Sequence, residues 1–397
     1  MMLEHKGNRG RDLTILLGST TTVLAATIIS PALPEMASFF HDTPNAEFLV
    51  RLTLTMPALV VALAAPFAGL LLDTLGRKPV LIVALMLYGL SGTAGYILDS
   101  LTAILISRAL LGLAVAGIMS GFTTLILDYF TGEKLNQFMG YQGAFIGIGG
   151  MLFLLAAGFL ADVGWRFPFL VHLFAFAVLP GVILFIAEPM RRGKTNTAET
   201  SNIPVFPWRT LLPLYAISFI GMVIFFIFPI QLPFYLTSGG EISNSQVGLA
   251  LSLQTVSSVF AALLYQRLKA RFSFYTIFAL IFLAFSLNHA LTFLTSNYVL
   301  VIIALLIGGL GIGLFPPNNS VWLAAITPPD LRGRAVGGMT SALFLGQFFS
   351  PIFTQPIIQQ VGLAGMFAMA AVVSALLVGV FMSLARRSSV DTVVQNA

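Results

Sequence analysis

Apolar runs long enough to cross a bilayer recur from one end of this chain to the other, and no other property restricts its fold so sharply. A helical crossing needs about 20 consecutive apolar residues. Such windows fall near 13–34, 48–72, 79–98, 101–127, 137–160, 168–187, 210–236, 246–266, 274–295, 298–325, 335–359 and 365–385. In hydrocarbon every backbone N–H and C=O must be satisfied by protein, which leaves helices or closed barrels. Barrel strands are about half this length and alternate apolar with polar residues, so the runs predict helices. Composition agrees: 9% of the 397 residues are charged and 57% hydrophobic, against about 25% charged in soluble domains. The expected fold class is an all-α membrane protein with 12 transmembrane helices.

The basic residues orient these spans. Lys6, Arg9, Arg11, Arg77, Lys78, Lys134, Arg191, Arg192, Lys194, Arg209, Arg267, Lys269, Arg271, Arg332, Arg334, Arg386 and Arg387 fall on one side. Arg51 and Arg166 fall on the other, and Arg108 lies inside the fourth span. Cytoplasmic loops carry the excess of Lys and Arg, so both termini are expected in the cytoplasm. A net charge of +5 would suit nucleic acid if it were gathered on one face. Here it is scattered among short loops, which excludes nucleic acid as a partner. The basic start before the run 13–33 resembles a secretory signal, but the run exceeds a typical signal core, and its removal would leave an odd number of crossings. An uncleaved first helix is expected. The chain has no cysteine and four scattered histidines, so neither a disulfide framework nor a metal site is expected.

Residues 188–208 form the longest polar stretch between spans, with Arg191-Arg192-Gly193-Lys194 followed by Thr, Asn and Ser. That composition suits a cytoplasmic linker between an N-terminal bundle, 1–187, and a C-terminal bundle, 209–397. The two halves echo one another. Pro31-Ala32-Leu33-Pro34 is matched by Pro229-Ile230-Gln231-Leu232-Pro233, and Gly164-Trp165-Arg166-Phe167-Pro168-Phe169 by Gly362-Leu363-Ala364-Gly365-Met366-Phe367. Glycines 112, 117 and 121 in the fourth span are matched by 308, 309, 311 and 313 in the tenth. Together these suggest a duplicated six-helix unit, an arrangement found in many secondary transporters.

Between the second and third spans the sequence runs Gly69-Leu70-Leu71-Leu72-Asp73-Thr74-Leu75-Gly76-Arg77-Lys78. Gly69 is expected to let two helices approach closely, Gly76 to permit a tight turn, and Asp73 and Arg77 to tie the turn to neighbouring helix ends, with Asp128 as partner to Arg77. The segment resembles the signature of the major facilitator superfamily, Gly-x-x-x-Asp-x-x-Gly-Arg-Arg/Lys. The resemblance implies that Gly69, Asp73, Gly76, Arg77, Lys78 and Asp128 form a conformational switch holding an outward-open state. Two further stretches resemble motifs of the bacterial drug/metabolite:proton antiporter branch: Ile106-Ser107-Arg108-Ala109-Leu110-Leu111-Gly112, and Gly143-x-x-x-Gly147-Ile148-Gly149-Gly150, which lacks the usual proline after its second glycine. The second-half counterpart of the signature, near Arg267-Leu268-Lys269-Ala270-Arg271, keeps only its charge.

The resemblance also implies a central cavity lined by spans 1, 2, 4, 5, 7, 8, 10 and 11. Its candidate substrate-binding residues are Thr21, Thr22, Tyr141, Gln142, Phe225, Phe226, Gln231, Tyr235, Gln254, Asn318, Asn319 and Gln347, with hydrogen bonding between helices as the alternative use of each polar group. Pro316-Pro317 suggests a bend or break in the tenth span. No Asp or Glu stands at the middle of a span, so Arg108 and Glu35 are the candidate coupling residues, while His172 and His289 are expected to be structural. Clustered groups of the kind intramembrane chemistry requires are missing, so the chain is not expected to be an enzyme, and a receptor is the less favoured reading. The expectation is a monomeric secondary active transporter of the plasma membrane (the bacterial inner membrane). It would export a small, partly apolar drug or metabolite by alternating access, with the proton gradient as energy source and no cofactor. The alternative is an importer or uniporter of a metabolite.

Overall fold

The computed structural model describes residues 9–188, 206–238 and 240–395. Lys6, Arg191, Arg192, Lys194 and most of the expected linker lie outside the described residues. What is described is helical: α1 (Arg9–Thr27), α2 (Leu33–Phe39), α3 (Ala46–Leu75), α4 (Arg77–Thr93), α5 (Leu101–Tyr129) and α6 (Gly132–Val163), then α7 (Phe174–Phe185), α8 (Trp208–Thr237), α9 (Asn244–Lys269), α10 (Phe274–Leu294), α11 (Tyr298–Ile326) and α12 (Arg332–Gln395). Among the described residues, ten segments are long and apolar enough to cross a membrane. One of them, Pro329–Arg387, runs through Gly362, whose φ of 73° and ψ of 176° break α12 into two arms. Gly164 ends α6 at the corresponding place 198 residues earlier (362 − 164).

Proline and hydroxyl chemistry decides where the helices depart from the sequence expectation. The first span does not run unbroken to residue 34. It stops at Thr27, a short 3-10 turn over Ser30–Ala32 follows with Pro31 in its first turn, and Pro34 opens α2. Pro31 has no N–H to offer the carbonyl one turn back. In the same way, Pro168 opens a 3-10 stretch, Phe167–Leu173, before α7. Pro316 and Pro317, expected to break their helix, do not: α11 continues through both. A Cβ at Gly313 would stand 2.1 Å from the Ser258 carbonyl oxygen, so α9 lies close against α11 just before the two prolines. In α1 the hydroxyls of Ser19, Thr20, Thr21 and Thr22 each donate to a carbonyl three or four residues earlier. A polar stretch thereby satisfies itself within the helix.

The buried apolar residues gather in three clusters. The largest draws on residues 15–186 together with Phe226 and Ile230. The other two draw on residues 211–381, and Leu154 is their one member from before residue 188. Two helix pairs, α3 with α12 and α6 with α9, join these groups.

Candidate functional site

Among the described residues, the signature turn is held from the side of residues 9–188. Gly76 takes φ +99°, a conformation L residues rarely adopt, and a Cβ there would stand 2.8 Å from Glu188 Oε1. Glu188 fills that space because α4 begins at Arg77 with unpaired backbone donors. Its carboxylate accepts the N–H of Arg77 at 2.6 Å and of Lys78 at 2.8 Å, where the helix dipole also favours negative charge. Lys78 Nζ donates to the Ile183 carbonyl at 2.7 Å. Arg77 donates from Nε to Asp128 Oδ2 at 3.1 Å and from Nη1 to the Leu72 carbonyl at 3.2 Å, and its Nη2 lies 3.4 Å from Asp73 Oδ1. Gly69 does not do what its residue type suggests, because no heavy atom lies within 4 Å of where its Cβ would be. Gly333 and Gly337, at the start of α12, are equally bare.

The far end of the same helices is closed. The Arg51 side chain on α3 is 1% exposed and crosses to the other group of helices. It donates from Nε to Gln231 Oε1 on α8 at 2.9 Å and from Nη1 to Gln355 Oε1 on α12 at 3.1 Å. Its guanidinium carbon sits 4.3 Å from the centre of the Phe234 ring, and Glu47, one turn back on its own helix, lies at 3.1 Å. Gln231 Nε2 donates onward to Thr354 at 3.2 Å. Nearby, Ser30 donates to the Pro229 carbonyl, Asp162 accepts the backbone N–H of Ser245, and Asn244 donates to the Ala161 carbonyl. Two bonds lie deeper, Ser341 to the Ala62 carbonyl and Ser252 to the Met151 carbonyl.

Glycines along α6 record how the two groups part. A Cβ at Gly158 would stand 2.9 Å from the Asn244 carbonyl oxygen, and one at Gly147 would stand 2.4 Å from Val259. At Gly143 and Gly140, further toward the signature end, nothing lies within 4 Å. The pairs α6–α9 and α3–α12 therefore touch at the Arg51 end and diverge toward the signature end. Between them, Phe145 and, from the second group, Met222, Phe225 and Phe344 pack half-buried on the first core.

The candidate substrate residues mostly have separate partners. Gln142 donates to Ser19, Tyr141 is exposed beside Gln137, and Thr22 is bonded to its own helix. Thr21 is buried, with its carbonyl accepting from Tyr88. Phe225 and Phe226 meet edge to face at 5.5 Å. Tyr235 turns toward Phe367 and the Thr295 carbonyl, Asn318 bonds with Tyr265, and Asn319 bonds with Ser218. Gln254 and Gln347 are buried, and Gln254 Nε2 has no hydrogen-bond partner among the described residues. Gln231 belongs to the Arg51 contact.

Of the coupling candidates, Arg108 is buried within the first group. It donates to the carbonyls of Ser91 and Gly92 and lies over the Phe169 ring, beside Tyr88 and His172. Glu35 is exposed on α2 at the closed end. Partial burial raises its carboxyl above the ordinary 4.5. A hydrogen bond from the Trp165 backbone opposes that rise, and the negative charge of Asp162 adds to it. Arg51 and Glu188 were not among the sequence candidates. Gln231 and Gln355, which Arg51 bonds, and Arg77 and Lys78, which Glu188 bonds, lie more than 100 residues away in the sequence.

A sequence profile described as Major Facilitator Superfamily matches residues 15–241 and again 214–396. Multidrug resistance protein 1 of Bacillus subtilis (strain 168) is 27% identical over 350 residues, covering 86% of this chain and 88% of that protein. Quinolone resistance protein NorA of Staphylococcus aureus (strain MRSA252) is 26% identical over 174 residues, 44% of each chain. Among solved structures, a D-xylose-proton symporter superposes with a TM-score of 0.75 at 14% identity, covering 93% of this chain and 96% of that one. The inward open conformation of the xylose transporter XylE from E. coli gives 0.72 at 15% identity, covering 93% and 95%. At that identity the likeness is one of fold.

Proposed function

We propose that this chain, which belongs to the Major Facilitator Superfamily, is a secondary active exporter of a small, partly apolar solute, driven by proton exchange. It is a multi-pass transporter of the plasma membrane and not an enzyme. The proposal has twelve crossings in two six-helix bundles, 1–187 and 209–397, joined by a cytoplasmic linker at 188–208. Both termini face the cytoplasm, and the protein works as a monomer without a cofactor. The signature end is then the cytoplasmic end, and the arrangement described is open to the cytoplasm and closed outside.

One observation carries this reading: the two groups of helices bind each other at the Arg51 end and stand apart at the signature end. A pocket between them that opens to one side at a time needs that asymmetry, together with glycine-smoothed faces able to meet when the cytoplasmic end closes. Gly69, Gly140, Gly143, Gly333 and Gly337 supply such faces. The half-buried Phe145, Met222, Phe225 and Phe344 between the groups suit a partly apolar solute better than a sugar or an inorganic ion. The multidrug and quinolone resistance relatives favour a drug-like or metabolite-like solute and outward transport.

Flux in proteoliposomes under an imposed pH gradient tests the proposal. The expected result is uphill movement of a lipophilic solute that collapses with the gradient. Flux indifferent to the gradient would remove the proton coupling. A second reading, import or uniport of a metabolite, draws on the lack of a mid-span carboxylate. Cells with and without the protein separate the two, because an exporter lowers solute accumulation and an importer raises it.

A further inference from the structure

We infer that Arg51 is the latch of the outer gate, and that Gln231 and Gln355 are its strike plates rather than substrate contacts. The inference rests on the alternating-access reading above and names the residues that hold its outer side shut.

The argument begins with what a buried guanidinium requires. Arg51 is fixed, with its side chain 1% exposed, and a cation taken out of water must keep a counter-charge or strong hydrogen bonds. It has both, from two different sources. The counter-charge, Glu47, is on the same helix four residues earlier, so it travels with Arg51 however the bundles move. The partners across the gap, Gln231 and Gln355, are neutral amides on α8 and α12. Glu47, Phe234 and Gln355, the neighbours of Arg51, also line a cavity of about 870 Å³ on this face.

This division makes the closure reversible. Breaking an ion pair across the interface would strand a charge on each bundle, and removing one partner of a buried pair costs about 3–5 kcal/mol. Parting Arg51 from two amides strands none. The cation keeps Glu47, the amides turn to water entering from outside, and the lost bonds are few. The latch is strong enough to bias the equilibrium and weak enough to release in each cycle. A carboxylate at position 231 or 355 would convert it into a lock.

The chain contains no cysteine, so one introduced thiol reports without background. Ser30, 0% exposed and bonded across the gap to the Pro229 carbonyl, becomes reachable from outside only when the bundles part. In intact cells carrying the full-length Ser30→Cys chain, labelling by a membrane-impermeant maleimide measures that opening. Adding Arg51→Gln is expected to raise the labelling rate about ten-fold or more, the effect of losing one charge-assisted hydrogen bond. Adding Gln231→Glu is expected to lower it below the parent. The opposite signs guard against misfolding, which would expose the thiol in both variants. An unchanged rate in Arg51→Gln, or a rise in Gln231→Glu, would overturn the inference. Labelling needs neither solute nor gradient, so failure of the proton-exchange proposal would leave this result standing.

Discussion

The two ends of the molecule are made from the same helices and treat charge in opposite ways. At the closed end one buried cation, Arg51, reaches across the gap to neutral partners. At the signature end Arg77, Lys78, Asp128 and Glu188 satisfy one another within the first bundle, and Asp73, 71% exposed on its side chain, reaches Arg77. On the alternating-access proposal, the difference means that the signature is held ready when its end is open. Its ion pairs keep α3, α4 and α5 in register, and Asp73 is left free to meet the other bundle. A latch is visible where an end is shut, and a preorganised frame is visible where it is not.

Breaking the frame should have the largest effect. Arg77→Ala removes the contacts with Asp128, Asp73 and the Leu72 carbonyl together and should slow transport about ten-fold or more while insertion is retained. Flux at the wild-type rate would remove the frame from the mechanism. Two glycines on α6 test the asymmetry itself. Gly158→Val should overpack the closed end at a cost of about 1–3 kcal/mol and raise labelling from outside. Gly143→Val should leave the state described here undisturbed and slow only the step that closes the cytoplasmic end. Equal effects of the two variants on outside labelling would mean that the bundles do not diverge along this helix.

A smaller effect is expected at Glu188. Glu188→Ala uncaps α4 and should lower the thermal stability of the purified protein by about 1 kcal/mol, with Glu188→Gln intermediate because an amide oxygen can still accept. No loss in either variant would make the contact incidental. The smallest effect concerns pH. Burial raises the Glu35 carboxyl above its ordinary 4.5, so as the outer medium is acidified it takes up a proton earlier than a free glutamate would. If that proton is the coupled one, Glu35→Gln, which mimics the protonated form, should flatten the acid side of the transport–pH profile. An unaltered profile would remove Glu35 from coupling.

What the sequence revealed and what it hid follow from the range of the interactions. The spans and the turn at Gly76 are local, and local chemistry is written in neighbouring residues; the breaks at Pro31, Pro34 and Pro168 are local too, yet the apolar runs hid them. Arg77 and Asp128 could be paired from their positions at adjacent helix ends. Arg51 could not, because a single Arg after a loop looks like a topology marker until residues 231 and 355 are brought beside it. Arg108 shows the matching limit. A span that is apolar all round does not disclose which face a polar residue occupies, and only the structure shows that the Arg108 guanidinium packs against α4 and Phe169. Gln231 is a substrate-binding candidate by sequence, and its bond to Arg51 appears only in the fold.

The most direct test of the account measures both ends at once. Spin labels at Ser38 and Gln359 span the outer cavity, and labels at Lys134 and Arg267 span the cytoplasmic ends of α6 and α9. The account predicts that, when a transported solute is added or the pH lowered, the first distance lengthens as the second shortens. Two distances that stay fixed, or that change in the same direction, would contradict it.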